Sequence, residues 1–470
     1  MTSHPLSLLV EAGSSATPIV AITSGDLDGW LAAQSEPLRV WLKALGFKGD
    51  VGATALIPGG DGGISMVLLG LGNGDEPWAT GALAKTLPKG TYRIVEVHGG
   101  MGEFATWAAM AWALGGYTFG RYRSGDAAPE FAKLEWPKEC DRGYVTRAVN
   151  GTVLTRDLIN TPAADMMPDD LEKTARRIAQ EFGAKVNVVT GDDLLTQNFP
   201  MIHAVGRASS VAPRLIDMVW GEVNHPKVTL VGKGVCFDSG GLDIKPSSAM
   251  ALMKKDMGGA ACVLGLAHML MAANTPIRLR VLVPAVENAV SGNSFRPGDV
   301  LKTRKGITVE IGNTDAEGRL VLGDALTLAM EDSPALVIDC ATLTGACRTA
   351  LGPEIPGLFT DDDLLAADFW MAATTSRDPL WRLPLWQPYR RMIDSKIADI
   401  NNAGDSPFAG AITAALFLKE FAKPKNPDAK VPWAHLDLYA WNPAEKPGRS
   451  QGGDAMAQRA LYALIQKRFA

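Results

Sequence analysis

The hydrophobic and polar positions in the first third of the chain switch between strand-like and helix-like spacing. Residues 66–72 and 92–97 are short apolar runs typical of buried strands, and residues 103–114 are rich in alanine and spaced as a helix. The pattern breaks at residues 135–138, which include a proline. We therefore predict a small N-terminal α/β domain that comprises residues 1–140.

The remainder of the chain, residues 141–470, alternates between helical and strand-like patterns. Residues 168–182 have helical spacing, with Asp169 and Asp170 in the first turn, where acidic side chains favour the helix dipole. Strand-like apolar runs follow at residues 185–189, 215–220, 228–231, 278–283 and 335–338. We predict an α/β fold in which this larger C-terminal domain has a mixed, largely parallel central sheet flanked by helices. Ligands bind such sheets at the carboxyl ends of the strands.

Candidate chemistry appears in the stretch that follows the β-like run 307–311. Asp315, Glu317 and Arg319 occupy alternate positions there, so in an extended chain two carboxylates and one guanidinium leave the backbone on one side. Carboxylates suit divalent cations, and arginine suits an anion. The pattern indicates that this segment supplies one half of a site that binds a metal and an anion together. A solvated loop with local ion pairs is the alternative interpretation.

A second polar constellation follows the strand-like run 228–231. Glycines at positions 232, 234, 240 and 241 are interspersed among Lys233, Asp238 and Lys245, and Asp256 lies at the start of a helix-like stretch. Because glycine lets the backbone approach a bound group closely, we predict that these four side chains converge. Lys233 could instead belong to a phosphate-binding loop, but the pattern G-x-x-x-x-G-K-[ST] is absent.

Together these residues resemble the leucyl (cytosol) aminopeptidase family of two-metal exopeptidases. The resemblance rests on residues 230–261, 311–323 and 338–346, with further similar segments at 156–162 and 433–437. It implies that the C-terminal domain is a catalytic metallopeptidase domain. It also implies that the protein is a hydrolase that releases N-terminal residues, preferably Leu or other apolar ones, from peptides.

The resemblance further implies a pair of adjacent divalent ions, Mn²⁺ or Zn²⁺. Their ligands would be Lys233, Asp238, Asp256, Asp315 and Glu317. Asp238 and Glu317 match bridging ligands, which offset the repulsion between two dications. Lys233 and Asp256 would complete one metal site, and Asp315 would belong to the other. Lysine binds metal only as a neutral amine, and nearby dications lower its pKa. An ordinary ion pair between Lys233 and Asp238 is the alternative.

By the same resemblance, Lys245 and Arg319 act in catalysis. Lys245 would polarise the scissile carbonyl together with one metal, while a water or hydroxide that bridges the two metals attacks it. Arg319 would hold a bicarbonate ion that carries the proton. Alternatively, Arg319 pairs with Glu317 or Asp315 and orients the ligands.

Residues for substrate selection come from the resemblance as well. Met253, Thr342 and Gly345 match positions that line the pocket for the N-terminal side chain, a pocket suited to Leu or Met. Generic core packing is an alternative role for Met253. Ala455 and Met456 are candidates for the C-terminal part of the pocket.

Several other hydrolase classes are excluded by the residues present. No two of the six histidines have the spacing of an H-E-x-x-H zinc protease, and Ser239 lacks the preceding glycine of a G-x-S-x-G motif. The cysteines number five and include no C-x-x-C pair, which disfavours a disulfide framework or zinc ribbon. Cys236 is interpreted as a small buried residue, with a metal-linked or redox-sensitive thiol as the alternative.

Composition bears on partners and location. A net charge of −5 gives no general attraction to nucleic acid or to an anionic membrane. No apolar run is long enough to span a membrane, and the first residues lack the features of a secretory signal, so we expect a cytoplasmic protein. The resemblance implies a homohexamer. A secondary nucleic-acid-binding role and an inactive hexameric scaffold are the alternative functions.

Overall fold

A computed structural model describes residues 4–13, 15–60, 62–98, 100–124, 129–404, 406–426 and 428–470. Contacts between residues divide the chain into two compact units. The first comprises residues 1–153 and 443–451, and the second comprises residues 154–442 and 452–470. The division falls inside a helix, Arg142–Asn160. The boundary between residues 140 and 141 stays a prediction.

The first unit is built on one sheet with strand order β1-β6-β5-β2-β4-β3. Its strands are β1 (Leu9–Val10), β2 (Thr17–Ile22), β3 (Thr54–Pro58), β4 (Ile64–Gly70), β5 (Thr91–Val97) and β6 (Lys133–Glu135). Its helices are α1 (Leu27–Ala32), α2 (Glu36–Ala44), α3 (Leu83–Thr86), α4 (Phe104–Gly115) and the start of α5 (Arg142–Asn160), with a 3₁₀ helix at Pro5–Leu8. Only β3 runs antiparallel to its neighbour among these strands. Trp30 and Leu42, on α1 and α2, pack against buried apolar residues of the sheet.

The second unit has a larger sheet with strand order β16-β15-β18-β14-β9-β11-β8-β7, and β10 also pairs with β11. The strands of the unit are β7 (Lys185–Thr190), β8 (Arg214–Trp220), β9 (Lys227–Gly232), β10 (Gly234–Asp238), β11 (Arg278–Asn288), β12 (Val300–Lys302), β13 (Thr308–Glu310), β14 (Leu336–Ala341), β15 (Gly357–Phe359), β16 (Trp381–Arg382), β17 (Ile400–Asn401), β18 (Trp433–Asp437), β19 (Trp441–Asn442) and β20 (Gly452–Gly453). Strands β12, β13 and β17 form a small separate sheet.

The helices of the second unit follow the strands in alternation. They are α6 (Pro168–Phe182), α7 (Asp193–Thr196), α8 (Pro200–Gly206), α9 (Ser247–Met250), α10 (Gly258–Ala272), α11 (Gly318–Glu331), α12 (Gly345–Leu351), α13 (Asp363–Thr375), α14 (Gly410–Phe421) and α15 (Gln458–Phe469). Further 3₁₀ helices lie at Ala163–Asp165, Met253–Met257 and Gln387–Ile393. Residues of β9, β14, α11 and α14 share one apolar core.

The predicted fold class is confirmed. Strands β18, β14, β9, β11 and β10 run parallel to their neighbours in this group, while β8, β7 and β15 add antiparallel pairings. This is the mixed, largely parallel sheet that the alternating pattern predicted, and α6 has the predicted bounds. Among the described helices, none combines the length and the apolarity that crossing a bilayer requires.

Candidate metal centre

The parallel strands of the central sheet bring polar residues to one edge. Lys233 follows β9, Asp238 ends β10, Asn288 ends β11, Thr342 follows β14, and Asp437 ends β18. Because these strands are parallel, their carboxyl ends lie on the same side of the sheet. Residues that are distant in sequence are thereby assembled into one polar cluster.

A turn and a helix start supply the other half of the cluster. The small strand β13 ends at Glu310, Asp315 lies in a turn, and Glu317 is the residue that precedes α11, with Arg319 in the first helical turn. Their alternate positions had suggested that all three side chains leave an extended backbone on one side, and the turn and helix start show that the backbone is not extended there. They reach the cluster because the chain makes a turn at Asp315 and then begins helix α11.

Hydrogen bonds tie the two halves together. Thr314 donates its backbone N–H to Asp243 Oδ2 at 2.7 Å and its hydroxyl to the carbonyl of Gly240 at 2.7 Å. The Asn288 amide donates to Asp238 Oδ1 at 2.8 Å and to the carbonyl of Thr314 at 3.1 Å. These buried bonds hold the loop after β10 against the loop that precedes α11.

Asn402 holds the loop before α11 from its other side. Its side-chain oxygen accepts the backbone N–H of Gly312 at 2.8 Å, and its amide nitrogen donates to the carbonyls of Asn313 at 2.7 Å and Ala316 at 3.2 Å. Sequence reasoning missed Asn402, Asn288 and Asp437 as site residues. The available signal, an Asn or Asp at or just after the end of a strand, is too common to select them.

Two glycines are required by this close packing. Gly240 has φ +89°, and a Cβ there would lie 2.4 Å from the carbonyl oxygen of Asp243. A Cβ on Gly318, at the start of α11, would lie 2.5 Å from Cε of Lys233. Larger residues at these positions would push the two halves of the cluster apart.

Two lysines lie among the four carboxylates. Lys233 Nζ is 2.7 Å from Asp256 Oδ2 and 2.9 Å from Glu317 Oε1, and it donates to the carbonyl of Thr342 at 2.9 Å. Its ion-pair partners are thus Asp256 and Glu317, whereas the alternative interpretation had named Asp238.

The second lysine, Lys245, joins the remaining two carboxylates. Its Nζ lies 2.8 Å from Asp238 Oδ2 and also contacts Asp315 Oδ1. All five predicted metal ligands and Lys245 therefore lie in a network of two ion-pair groups, which adjoin at Asp238, Asp315 and Glu317.

Burial and mutual repulsion perturb the carboxylates of this network. Burial, reinforced by the charge of Asp238, raises the pKa of Glu317 to about 8 and that of Asp315 to about 6. For Asp256, burial also acts to raise the pKa, but the charges of Lys233 and Lys255 together with the hydrogen bond from Lys233 outweigh burial, and the pKa is lowered. Four carboxylates thus compete for two ammonium groups.

For the two lysines, the neighbouring carboxylates favour the charged form. Burial acts to lower the pKa of Lys233, yet the charges of Asp256 and Glu317 outweigh burial and raise it. The pKa of Lys245 is raised in the same way by Asp238 and Asp315, against the effect of burial. Both lysines are therefore cationic in this arrangement, and Lys233 would need to lose a proton to ligate a metal.

The donor set fits divalent cations. One oxygen from each of Asp238, Asp315 and Glu317 lies within 4.8 Å of the others. In addition, the buried oxygens Asp256 Oδ2, Asp315 Oδ1 and Glu317 Oε1 meet only the ammonium groups of Lys233 and Lys245 among the described residues. Four carboxylates with two ammonium groups leave an excess of negative charge, which divalent cations would offset. Oxygen donors with one nitrogen suit hard or borderline ions.

Arg319 lies beside the carboxylates without pairing to them. Its Nη1 donates to the carbonyl of Asn402 at 2.7 Å, and its buried Nε has no hydrogen-bond partner among the described residues. Burial lowers the pKa of Arg319 to about 10, which leaves the guanidinium charged at neutral pH. The described ion pairs do not include one between Arg319 and Glu317 or Asp315, the alternative suggested by the sequence.

The network opens into a cavity of about 630 Å³. Met253, Thr342 and Gly345 all line it, as does Arg319. The Thr342 hydroxyl is occupied because it donates to the carboxylate of Asp256 at 2.8 Å. Ala455 and Met456 are buried and are not among the residues that line this cavity.

Cys236 lies fully buried within β10, and burial raises the pKa of its thiol well above the usual range. A buried, protonated thiol packs as a small apolar group. This agrees with the interpretation of Cys236 as a packing residue.

Comparisons with known proteins agree with this geometry. The profile described as "Cytosol aminopeptidase family, catalytic domain" matches residues 153–462, and "M17 aminopeptidase, N-terminal domain" matches residues 17–137. The chain belongs to the cytosol aminopeptidase family. It is accordingly a metal-dependent aminopeptidase, and the resemblance inferred from the sequence is confirmed.

Individual proteins are similar to this chain over most of their length. The probable cytosol aminopeptidase of Roseiflexus castenholzii is 42% identical over 373 residues, which cover 75% of this chain and 74% of that protein. The crystal structure of cytosol aminopeptidase from Coxiella burnetii is 47% identical, with a TM-score of 0.93 over 99% of this chain and 100% of that one. The bottromycin maturation enzyme BotP in complex with Mn is 32% identical, with a TM-score of 0.86 over 97% and 100% of the two chains.

Proposed function

We propose that this aminopeptidase uses two adjacent divalent ions to release N-terminal Leu and other apolar residues from peptides. The observation that carries the proposal is the set of four carboxylates and two lysines at the inner end of a cavity wide enough for a peptide terminus. The structure of BotP in complex with Mn supports manganese as one candidate ion, and zinc is the other.

The ligands divide between two positions. Asp238 and Glu317 would bridge the ions, Lys233 and Asp256 would complete one site, and Asp315 would serve the other. Two ions so placed would supply a water of lowered pKa and a polarised carbonyl. Carboxylates with raised pKa values, such as those of the buried Glu317 and the half-buried Asp315, gain most from a shared cation, because the cation offsets the repulsion between them.

The remaining charged residues would act on the substrate directly. Lys245 would donate a hydrogen bond from Nζ to the oxygen of the scissile carbonyl as negative charge develops on it. Arg319 would hold a bicarbonate ion through Nε, the atom that lacks a partner, next to the water that must lose a proton. The fixed bond from Arg319 Nη1 to Asn402 would orient the guanidinium for that purpose.

Selection of the N-terminal side chain would fall to the cavity wall. Met253 offers a flexible apolar surface, Gly345 leaves space, and the Thr342 hydroxyl is already engaged by Asp256. An apolar side chain such as Leu would therefore displace water from this wall without leaving a polar group unpaired.

An assay with a blocked control tests this proposal. The protein is stripped of metal with a chelator, reloaded with Mn²⁺ or Zn²⁺, and assayed on Leu-p-nitroanilide and N-acetyl-Leu-p-nitroanilide. We expect activity only after reloading and only on the free amine. Hydrolysis that ignores the chelator, or equal hydrolysis of the acetylated substrate, would contradict the proposal. Metal analysis of the reloaded protein should give two ions per chain.

We further propose that the protein works in the cytoplasm as a homohexamer. Exposed aromatic and apolar side chains support self-association. Trp370 and Trp381 are 58% and 53% exposed, and their ring centres lie 5.9 Å apart. Leu364 is 80% exposed. Light scattering should give six times the chain mass of 49.9 kDa. A monomeric mass at micromolar concentration would contradict the hexamer.

A further inference from the structure

Two basic side chains in the cavity contact one aromatic ring. Lys255 Nζ lies 4.8 Å from the ring centre of Tyr439, and Arg348 Cζ lies 5.0 Å from it. All three residues line the cavity that contains the candidate metal centre. The ring holds both cations in place through its negative face without neutralising either charge.

No described carboxylate neutralises these cations. Within the described residues, neither Lys255 nor Arg348 has a carboxylate at ion-pair distance. The nearby Asp256 is paired with Lys233. Asp437, the other acid close to Lys255, accepts hydrogen bonds from residues 343 and 344. Lys255 is only 5% exposed, so its charge lies largely out of water with the Tyr439 ring beside it and no described carboxylate at ion-pair distance.

The two cations extend the wall assigned to the N-terminal side chain. Lys255 lies on the same 3₁₀ helix as Met253, two residues further on. Arg348 lies three residues after Gly345 in α12, and residues three apart in a helix share a face. The apolar part of the wall is therefore continuous with a basic part.

We propose that Lys255, Arg348 and Tyr439 form a carboxylate-binding subsite that lets this enzyme accept peptides whose first residue is Glu or Asp. The inference rests on the proposed aminopeptidase function and adds a substrate class to it. The Arg348 guanidinium offers a planar fork for a carboxylate, and Lys255 offers a compact charge beside it. The terminal carboxylate of a dipeptide has the same chemistry, but the position of the subsite next to Met253 and Gly345 favours the first side chain.

The test compares substrates that differ in one charge. Values of kcat/KM are measured on the metal-loaded enzyme for Glu-Ala-amide, its neutral isostere Gln-Ala-amide, Leu-Ala-amide and Leu-Ala. The wild type should prefer Glu over Gln by about 10-fold or more, as expected for a charge that meets an unpaired, partly buried cation. Lys255→Met and Arg348→Met should each bring the ratio of Glu to Gln close to one.

Arg391→Met is the matched control, because Arg391 is an exposed arginine of the same unit that does not line the cavity. It should leave the ratio of Glu to Gln unchanged. If Lys255→Met fails to fold, the exposed Arg348 still provides the test. A purely structural role for the ring contacts would change the melting temperature and leave the ratio as it is.

The outcomes separate this inference from the function on which it rests. Hydrolysis of Leu-Ala-amide with a Glu to Gln ratio at or below one in the wild type would overturn the subsite and leave the aminopeptidase proposal standing. If Arg348→Met lowers the ratio of Leu-Ala to Leu-Ala-amide while the ratio of Glu to Gln stays constant, the carboxylate comes from the chain terminus, which overturns the assignment to Glu and Asp. Hydrolysis of none of the substrates would overturn both proposals.

Discussion

Two groups of buried carboxylates belong to the second unit, and they differ in how their oxygens are satisfied. In one, Asp339 on β14 accepts a hydrogen bond from Trp433 Nε1 at 2.8 Å and contacts His435 Nδ1 at 2.5 Å, so each of its oxygens has a donor. In the other, the candidate metal centre, four carboxylates share two lysines, and Glu317 and Asp315 have raised pKa values.

The difference lies in the number and charge of the donors. The Asp339 group is closed because its donors come from the neighbouring strand β18, which the sheet register places opposite it. The metal centre retains an excess of acceptors and faces a cavity. A closed group stabilises the fold, whereas an excess of buried carboxylates costs stability and is useful only when a cation is bound.

The largest effect that would test this contrast is expected at Glu317. Replacement by Gln should lower kcat/KM for Leu-p-nitroanilide by about 1,000-fold or more, because the proposed bridging ligand is lost. The melting temperature of the metal-free protein should hold or rise, since the pKa of Glu317, raised to about 8, reflects a carboxylate disfavoured by burial and by Asp238. Glu331→Gln, at the far end of the same helix, is the control. A large loss of stability in metal-free Glu317→Gln would remove the distinction between the two groups.

The next effect concerns the closed group. Asp339→Asn should lower the free energy of unfolding by about 3 kcal/mol, because it leaves the buried His435 without its charge partner. Glu36→Gln breaks an exposed pair with Arg39 and should cost less than about 1 kcal/mol. Chemical denaturation of both variants measures the difference. Equal costs would show that burial of the Asp339 pair contributes nothing beyond an ordinary surface pair.

A smaller effect is expected where only hydrogen bonds are removed from the metal centre. Asn402→Ala deletes the contacts to residues 312, 313 and 316 and keeps every candidate metal ligand. The affinity for Mn²⁺ should fall about 10- to 100-fold, because the loop that carries Asp315 is no longer held. Metal titration by calorimetry measures this, with Asn293→Ala, in an exposed loop, as the control. Unchanged affinity would show that the turn itself positions Asp315.

The smallest effect is a pH dependence of the closed group. Burial acts to lower the pKa of His435, but the charge of Asp339 outweighs burial and raises it above the usual 6.5. The stabilisation is therefore fully present below about pH 6.5 and is lost as the pH rises through the higher folded-state pKa. The free energy of unfolding should fall across this window in the wild type and fall less steeply in His435→Gln. Parallel curves for the metal-loaded proteins would contradict this assignment.

Much of the architecture could be predicted from local patterns. The helix Pro168–Phe182 has the predicted bounds because its start and its Gly183 end are encoded within a few residues, and Gly183 takes the left-handed conformation that ends the helix. The stretch after residue 252 was less well predicted. It begins as a 3₁₀ helix and becomes α-helical only at Gly258, a change that the apolar pattern alone does not reveal.

The candidate site, like the fold, could be predicted only in part from the sequence. The carboxylates and lysines were singled out by their residue types, their role as a metal-pair site was implied by the resemblance to the family, and the structure brings them together. The supporting residues Asn288 and Asn402 were not identified, because each bonds to backbone atoms far away in sequence. Asp315 and Glu317 were expected after a strand, with their side chains on one side of an extended backbone, but a turn and the start of α11 present them instead.

The sequence by itself determined the donor types, the alternation of strands and helices, and membership of the family. Only the tertiary structure decided that Lys233 pairs with Asp256 and Glu317, that Arg319 retains a free Nε, and that Lys255 and Arg348 meet at Tyr439. The physical reason is the parallel sheet, which gathers the carboxyl ends of strands that are distant along the chain. Because residues at that edge are buried, each unpaired charge there acts strongly on its neighbours.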